Sequence, residues 1–418
     1  MPSKDGNGGK PAAVICIGNL LFFGGSPFRT NRGATLACNT GAVLIGASEL
    51  RYTRHPDPAT QTGELLASAI AQVSQEAGIA PEEIDGLGVS SFTFGPDHAV
   101  DLAFRCGMNL GWIMEDTNGG ASGINLLQHA ARAIESGDAS TIVLVSGDRM
   151  TADDFRRLVD EYNSAARDCT APLGLKGPNS MFALLTQRHQ RRHGLDSDTY
   201  GRVAVAQRGW AELNPGAVYR SPLSLDEYRA APEVSTPLRR YDCVPPVTGA
   251  DAVIVTSADR VGDRPGVAVR AIQGSVNHDL HRGDGLSTGH ARIASGLWDR
   301  SGCSPDEMDV ISVYDDYPVM VLIQLAELGF VPDGDLSAAA RRLHEDRWPV
   351  NTSGGQLSAG QAGAAAGMHG LVEAVTQLQH RVGGRRQVAD AAKALVSGYG
   401  MVTYRYGSCA NAAVLERI

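Results

Sequence analysis

The chain reads as an α/β protein assembled from two copies of one unit, and three observations predict this. "GIAPEEIDGLGV" (78–89) is matched by "GCSPDEMDVISV" (302–313) at glycine, proline, glutamate, aspartate and valine. "LVSGDRM" (144–150) and "LVSGYGM" (395–401) form a second pair in the same order. Between these landmarks, apolar runs of strand length alternate with segments of helical period, the pattern of a sheet covered by helices.

The elements follow in order. "GAVLIGASEL" is a strand-like run, apolar from Ala42 to Ala47. A helix comes next, because Leu66, Ala69, Ile70, Val73 and Ala77 fall on one face at 3.6-residue spacing. Gly78 suits the left-handed residue that ends it. A Pro-Glu-Glu turn leads into a buried strand, "IDGLGVSSF". A long helix spans Ile124 to Glu135, and the strand "STIVLVSGD" follows it. That strand is apolar at nearly every residue, as expected when helices cover both faces.

These signals divide the chain. Residues 1–40 are expected to form a flexible, Gly/Asn-rich extension. Its "PAAVICIGNLLFF" imitates a signal peptide but is interrupted by Gly18 and Asn19. Residues 41–150, with part of 240–260, make the first half, and 261–418 the second. Residues 151–240 are rich in Arg, Asp, Tyr and Pro, with helices in "MFALLTQRHQRRHG" and "RVAVAQRGWAEL". They form an inserted domain of the kind that carries substrate contacts.

Bulk properties exclude several functions. Net charge is −9, which argues against nucleic acid or an anionic membrane as partner. The seven cysteines make no CxxC and no Cys/His cluster at metal spacing, so reduced cytoplasmic thiols are expected. No apolar run is long enough to span a bilayer. His278, His281 and His290 crowd one stretch, but not at the spacing of a tetrahedral zinc site, and no metal is expected. Arg188, Arg191 and Arg192 fit a solvated helix face better than a phosphate site.

One stretch looks catalytic yet lacks its reagent. "MEDTNGGASGINLLQHAARAIESG" (114–137) has a glycine-rich turn opening an amphipathic helix, where a helix N-terminus would activate a nucleophile. The turn offers only Gly119, Gly120, Ala121 and Ser122.

From about residue 42 the chain resembles the thiolase superfamily, in its sterol-carrier-protein branch. The resemblance rests on three long segments in order. They are the stretch from "QRHQRRHGLDSDTYG" to "TGADAVIVTS", "VYDDYPVMVLIQLAELGF", and "VNTSGGQLSAGQAGAAAGMHGLVEAVTQLQ". It implies two pseudo-twofold βαβαβαββ halves in five αβαβα layers with an inserted loop domain. It also implies a homodimer packed sheet edge to sheet edge.

The departures from the thiolase pattern bear on function. Where a thiolase has its acyl-accepting Cys, this chain has Gly120. Where the His of Gly-His-Pro would activate that Cys, it has Gln361. Tyr314 replaces the Asn or His of the third motif, and Tyr317 its Phe. Cys409 lies a few residues late for the Claisen acid/base cysteine, and Tyr404 or Arg405 falls nearer that place. Ping-pong acyl transfer needs the missing groups. A retro-aldol cleavage needs a base for a β-hydroxyl, donors for the thioester oxygen and an acid for the leaving carbon.

The pattern therefore resembles the thiolase-like aldolases of steroid side-chain degradation. These cleave a β-hydroxyacyl-CoA to a ketone or aldehyde plus a shorter acyl-CoA. Coenzyme A would enter as part of the substrate, with no bound cofactor. A small OB-fold subunit of zinc-ribbon type would bind acyl-CoA and complete a heterotetramer. The implied catalytic candidates are Tyr314, Tyr317, Tyr404, Asp316, Gln361 and Cys409. Those for substrate contact are Gly119, Gly120, Ser122, His98 and Gly360. Asp315 and Asp316 are adjacent, so at most one faces a pocket. Two alternatives stay open: an acyltransferase using Cys409, and a non-catalytic scaffold that binds acyl-CoA.

Overall fold

The computed structural model describes residues 40–175, 177–280, 282–403 and 406–418; the N-terminal extension and Tyr404 lie outside them. The first half runs β1 (Ala42–Glu49), α1 (Thr62–Ala77), β2 (Gly86–Ser90), α2 (Ala99–Arg105), β3 (Trp112–Glu115), α3 (Ser122–Ser136) and β4 (Thr141–Asp148). The insertion carries α4 (Ala152–Asp160), a π-helical turn (Ala165–Thr170), α5 (Gly177–His193), α6 (Ser197–Ala211), α7 (Leu225–Ala230), and a hairpin of β5 (Glu233–Ser235) and β6 (Leu238–Arg239). Strand β7 (Gly249–Ser257) returns to the first half. The second half runs β8 (Val267–Val276), α8 (Gly289–Ser301), β9 (Val310–Ser312), α9 (Pro318–Glu327), α10 (Leu336–Glu345), α11 (Gly355–Ser358), α12 (Ala366–Leu378), β10 (Lys393–Thr403) and β11 (Tyr406–Arg417).

The internal repeat is visible in strand order. The sheet reads β3-β2-β4-β7-β1-β8-β11-β10-β9. Outward from the centre, β1, β7, β4 and β2 have β8, β11, β10 and β9 as counterparts. The pairing sense agrees: β2–β4 and β9–β10 are parallel, and β4–β7 and β10–β11 antiparallel. Within the sheet, β1 and β8 join the halves through two described residue pairs, Val43 with Ala268 and Leu44 with Val267. In place of β3, the second half has among the described residues an isolated parallel bridge between Ile311 and Val350.

Burial follows from side-chain period. Leu66, Ala69, Ile70, Val73 and Ala77 of α1 are all buried, and Gly78 ends the helix at φ +63°. Strand β4 is buried along its whole length, which fits the apolar run Ile142–Val145 within it. Three apolar clusters separate five layers. One packs α1 and α2 on the first half-sheet. A middle one packs α3 and α12 against strands of both halves. The third places α8, α9 and α10 on the outer face of the second. No described helix is long and apolar enough to cross a membrane.

Candidate active site

Two equivalent turns build the floor of the site. Gly119 and Gly363, both at φ +58°, open the turns that lead into α3 and α12. The helices cross where glycine faces glycine: a Cβ on Gly123 would stand 2.1 Å from the Gly367 carbonyl oxygen. "GGASG" (119–123) and "GAAAG" (363–367) are therefore a third repeat pair, too short and too rich in small residues to stand out in the sequence. Strand β10 closes over the first turn, and a Cβ on Gly400 would meet the Asn118 carbonyl oxygen at 2.1 Å. No side chain fits on either contact, so glycine is required there on steric grounds.

Asp148, at the end of β4, pins the second turn. Its carboxylate accepts from the backbone N–H of Ala364 at 2.7 Å, and from Phe92 and Thr93 N–H and the Ser91 and Thr93 hydroxyls at 2.7–2.8 Å. Its counterpart in the second half is Tyr399.

Between the turns and the insertion lies a cavity of about 1120 Å³, open mouth included. Phe155, Leu158 and Val159 of α4, Met181 of α5 and Val244 give it an apolar wall. Its polar groups include Tyr162, Asn179, Tyr314, Asp316, Tyr317, Gln361 and Tyr399. Among its described lining residues there is no Lys or Arg, so charge developing inside must be met by neutral donors.

Tyr314 lies directly over Gly120. A Cβ there would stand 2.2 Å from Cε2 and Cζ of the ring and 2.2 Å from the Tyr399 carbonyl oxygen. The Tyr314 backbone is held by Gln324 Nε2, which donates to its carbonyl at 2.6 Å. Gln361 Nε2 donates to the Tyr314 hydroxyl at 3.4 Å and to Gln356 Oε1 at 3.3 Å. Burial pushes the phenol well above its usual range, and the charge of Asp316 adds to this. Tyr314 therefore stays protonated, and its O–H is available to donate.

The two adjacent aspartates diverge, as consecutive residues of an extended segment must. Asp315 accepts from the backbone N–H groups of Gln356 at 3.0 Å and Leu357 at 3.3 Å, and so braces the α11 loop. Burial lifts its carboxyl to about 7 against those bonds. Asp316 lines the cavity. Its Oδ1 is buried with no hydrogen-bond partner among the described residues, as is Gln361 Oε1. Burial, reinforced by Asp315, raises the Asp316 carboxyl well above the usual range. An unpartnered buried oxygen costs roughly 1–3 kcal/mol, so both atoms are acceptors kept for something that enters the cavity.

The other candidates scatter. Tyr317 lines the cavity, but its hydroxyl is committed to Asn179 Oδ1 at 2.6 Å and its ring stacks on Phe182 at 4.3 Å. Gly119 and Gly120 form the floor. Ser122 is turned away, donating to Asp116 at 2.5 Å. Gly360, at φ +126°, backs onto Val247. His98 caps α2 with its side chain 70% exposed beside Glu115. Cys409 is buried on β11, where Asn125 Nδ2 approaches its Sγ at 3.8 Å, and it does not line the cavity.

Reading the sequence alone misses Tyr162, Asn179 and Gln356. Two sit in the polar insertion, where a tyrosine or asparagine carries no periodic signal.

A second polar cluster joins the halves behind the site. His369 Nδ1 lies 2.7 Å from Glu49 Oε2, and its Nε2 lies 2.7 Å from Ser353 Oγ. The Tyr52 hydroxyl bonds both oxygens of Asp251 at 2.9 and 3.0 Å. Burial pulls the His369 imidazole down, but Glu49 and Asp251 overcome it and lift the group to about 9.

Known proteins resemble the chain in sequence and fold. Residues 275–417 match the family described as Thiolase C-terminal domain-like. The chain is 32% identical over 361 residues to the 17-hydroxy-3-oxo-4-pregnene-20-carboxyl-CoA lyase of Mycobacterium tuberculosis, covering 81% of this chain and 91% of that protein. It is 30% identical over 364 residues to the steroid side-chain-cleaving aldolase of Thermomonospora curvata, covering 80% and 90%. The solved Ltp2-ChsH2(DUF35) aldolase superposes with a TM-score of 0.78 at 24% identity, over 91% of this chain and 98% of that one, and so shares the fold. The chain belongs to the thiolase superfamily, among its thiolase-like aldolases, and is a carbon–carbon lyase.

Proposed function

We propose that the protein cleaves a β-hydroxyacyl-CoA with a bulky, apolar, steroid-like acyl group to a ketone and a shortened acyl-CoA. The observation that carries this reading is the Tyr314 ring in the space above Gly120. The place of an acyl-accepting thiol is taken by a phenol that donates a hydrogen bond. The apolar wall from α4 and α5 suits a polycyclic acyl group. The names of the two curated relatives, one a lyase of a steroid carboxyl-CoA and one a steroid side-chain aldolase, support the substrate class.

In this mechanism ionised Asp316 takes the proton of the β-hydroxyl. The Cβ–O bond becomes a carbonyl and the Cα–Cβ bond breaks. Its electron pair moves through Cα to the thioester oxygen, which receives a hydrogen bond from Tyr314. Asp316 then returns the proton to Cα, so the carboxyl ends as it began. A raised carboxyl suits a base that must also act as the acid. The neutral phenol supplies the preorganised donor on which such catalysis depends.

Assembly belongs to the same proposal. Coenzyme A is part of the substrate, and a small OB-fold subunit, like the DUF35 chain named with the superposed aldolase, binds it alongside this chain. Edge strand β3 exposes Ile113, and α2 beside it exposes Phe104 and Val100, a surface suited to a second copy. The test is incubation with 17-hydroxy-3-oxo-4-pregnene-20-carboxyl-CoA, alone and with a DUF35 subunit. Equimolar steroid ketone and shortened acyl-CoA are expected. Acyl exchange onto free CoA, lost in Cys409→Ala, would overturn the reading. So would tight CoA-ester binding without turnover in the presence of the subunit.

A further inference from the structure

We propose that Tyr162, carried by the insertion, is a second catalytic phenol that shares the thioester oxygen with Tyr314. The inference rests on the retro-aldol reading above. Tyr162 follows α4 and lines the cavity. Its hydroxyl lies 3.0 Å from where a Cβ of Gly119 would stand, next to the Gly120 position covered by Tyr314. The two bare glycines thus leave room for two phenols to converge over one turn.

Gln361 Nε2 donates to the Tyr314 hydroxyl. A phenol oxygen that accepts a fixed hydrogen bond directs its own O–H elsewhere. The acceptor within reach of the Tyr162 O–H is Met401 Sδ at 3.8 Å, a weak one that a thioester oxygen would displace. Met401 sits in the left-handed region at φ +58°, which a non-glycine residue adopts only at a steric cost. Asn163 Nδ2 donates to the Val402 carbonyl at 2.8 Å and ties this part of the insertion to β10. The Tyr162 ring is set edge-on to Phe92, with centroids 6.1 Å apart. Two neutral donors on one oxygen meet the need of a cavity without Lys or Arg among its described lining residues. No bond to Tyr162 forms or breaks: it donates a hydrogen bond while the Cα–Cβ pair moves onto the oxygen.

The experiment uses the full chain with its DUF35 subunit and the steroid β-hydroxyacyl-CoA named above. Tyr162→Phe keeps the ring and removes the donor. It is expected to lower kcat on the order of 100-fold with KM within threefold. Binding of an S-alkyl-CoA thioether, which has no carbonyl oxygen, should not change. Placing 3,5-difluorotyrosine at 162 should restore turnover and move the alkaline limb of the pH profile downward, because a more acidic phenol ceases to donate earlier. A Tyr162→Phe protein with kcat within twofold of the parent would overturn the inference, as would equal weakening of the thioether. A parent protein that releases no ketone removes the retro-aldol reading itself, and this inference falls with it.

Discussion

The Tyr314 ring occupies the volume that any side chain on Gly120 would need, with a Cβ there only 2.2 Å from its Cε2 and Cζ atoms. The two residues exclude each other's alternatives. A thiol at 120 and a phenol at 314 cannot share this pocket, so the missing nucleophile and the added tyrosine are one change. The Tyr399 carbonyl oxygen, equally close, is backbone and cannot turn aside.

Gly120→Ala is therefore expected to destabilise the fold. Overpacking of a dense core typically costs about 1–3 kcal/mol, and the upper part of that range applies where a main-chain oxygen is the obstacle. Denaturant unfolding should show a lower midpoint with unchanged slope. Gly123→Ala, whose methyl would meet the Gly367 backbone, should behave alike. Midpoints equal to the parent in both would contradict the packing described.

Tyr314→Phe should fold normally and lose turnover. Deleting one preorganised donor to a developing oxyanion costs on the order of 100- to 1000-fold in kcat. KM should stay within a few-fold, because the donor matters most once charge has moved to the oxygen. Steady-state kinetics on both product channels checks this.

Asp316→Asn separates chemistry from stability. Turnover should vanish, since an amide takes no proton. In the parent, kcat should rise with pH through the raised carboxyl, because the base must be ionised. Stability should run the other way. A carboxyl whose folded value lies above its unfolded value binds more protons in the folded chain, so stability falls as pH rises from the unfolded value through the folded one. The variant should accordingly melt higher than the parent at neutral and mildly alkaline pH. Parallel thermal scans at pH 6 and 8 measure the difference.

His369 provides a pH-dependent tie between the halves. Its folded value, about 9, lies above the ordinary value near 6.5. Its stabilisation is therefore complete below about 6.5 and lost as pH rises through 9. Burial and Glu49 raise the Asp251 carboxyl, so it acts in the same direction. The Tyr52 hydroxyl, the Ser353 hydroxyl and Asp315 face the same cluster. His369→Ala leaves the half-buried Glu49 beside Asp251 without its counter-charge, which should cost about 1–3 kcal/mol near pH 7 and flatten the loss of stability between pH 7 and 10.

The fold was legible because period and repetition survive in the chain. The α1 stripe from Leu66 to Ala77, the apolar Ile142–Val145 of β4 and the Gly78 stop each map onto a single element. The third repeat pair, 119–123 with 363–367, was not legible. Its signal is the lack of side chains, and only a neighbouring backbone reveals why. For the site, Gly120, Gln361 and Tyr314 stand out as departures from a motif. Tyr162 could not be read that way. It belongs to a polar insertion, and its place beside Gly119 depends on how α4 returns over the second half. Asp316 stands among the catalytic candidates and lines the cavity, but alternation alone says only that two neighbours diverge, not which turns inward.

The most direct test of the central claim is intact-protein mass spectrometry on samples quenched during turnover of the steroid β-hydroxyacyl-CoA, with ketone and acyl-CoA quantified in the same samples. The account expects both products in equal amounts while the protein mass stays that of the bare chain throughout. A species heavier by the acyl group that forms and decays at the rate of product release would contradict it.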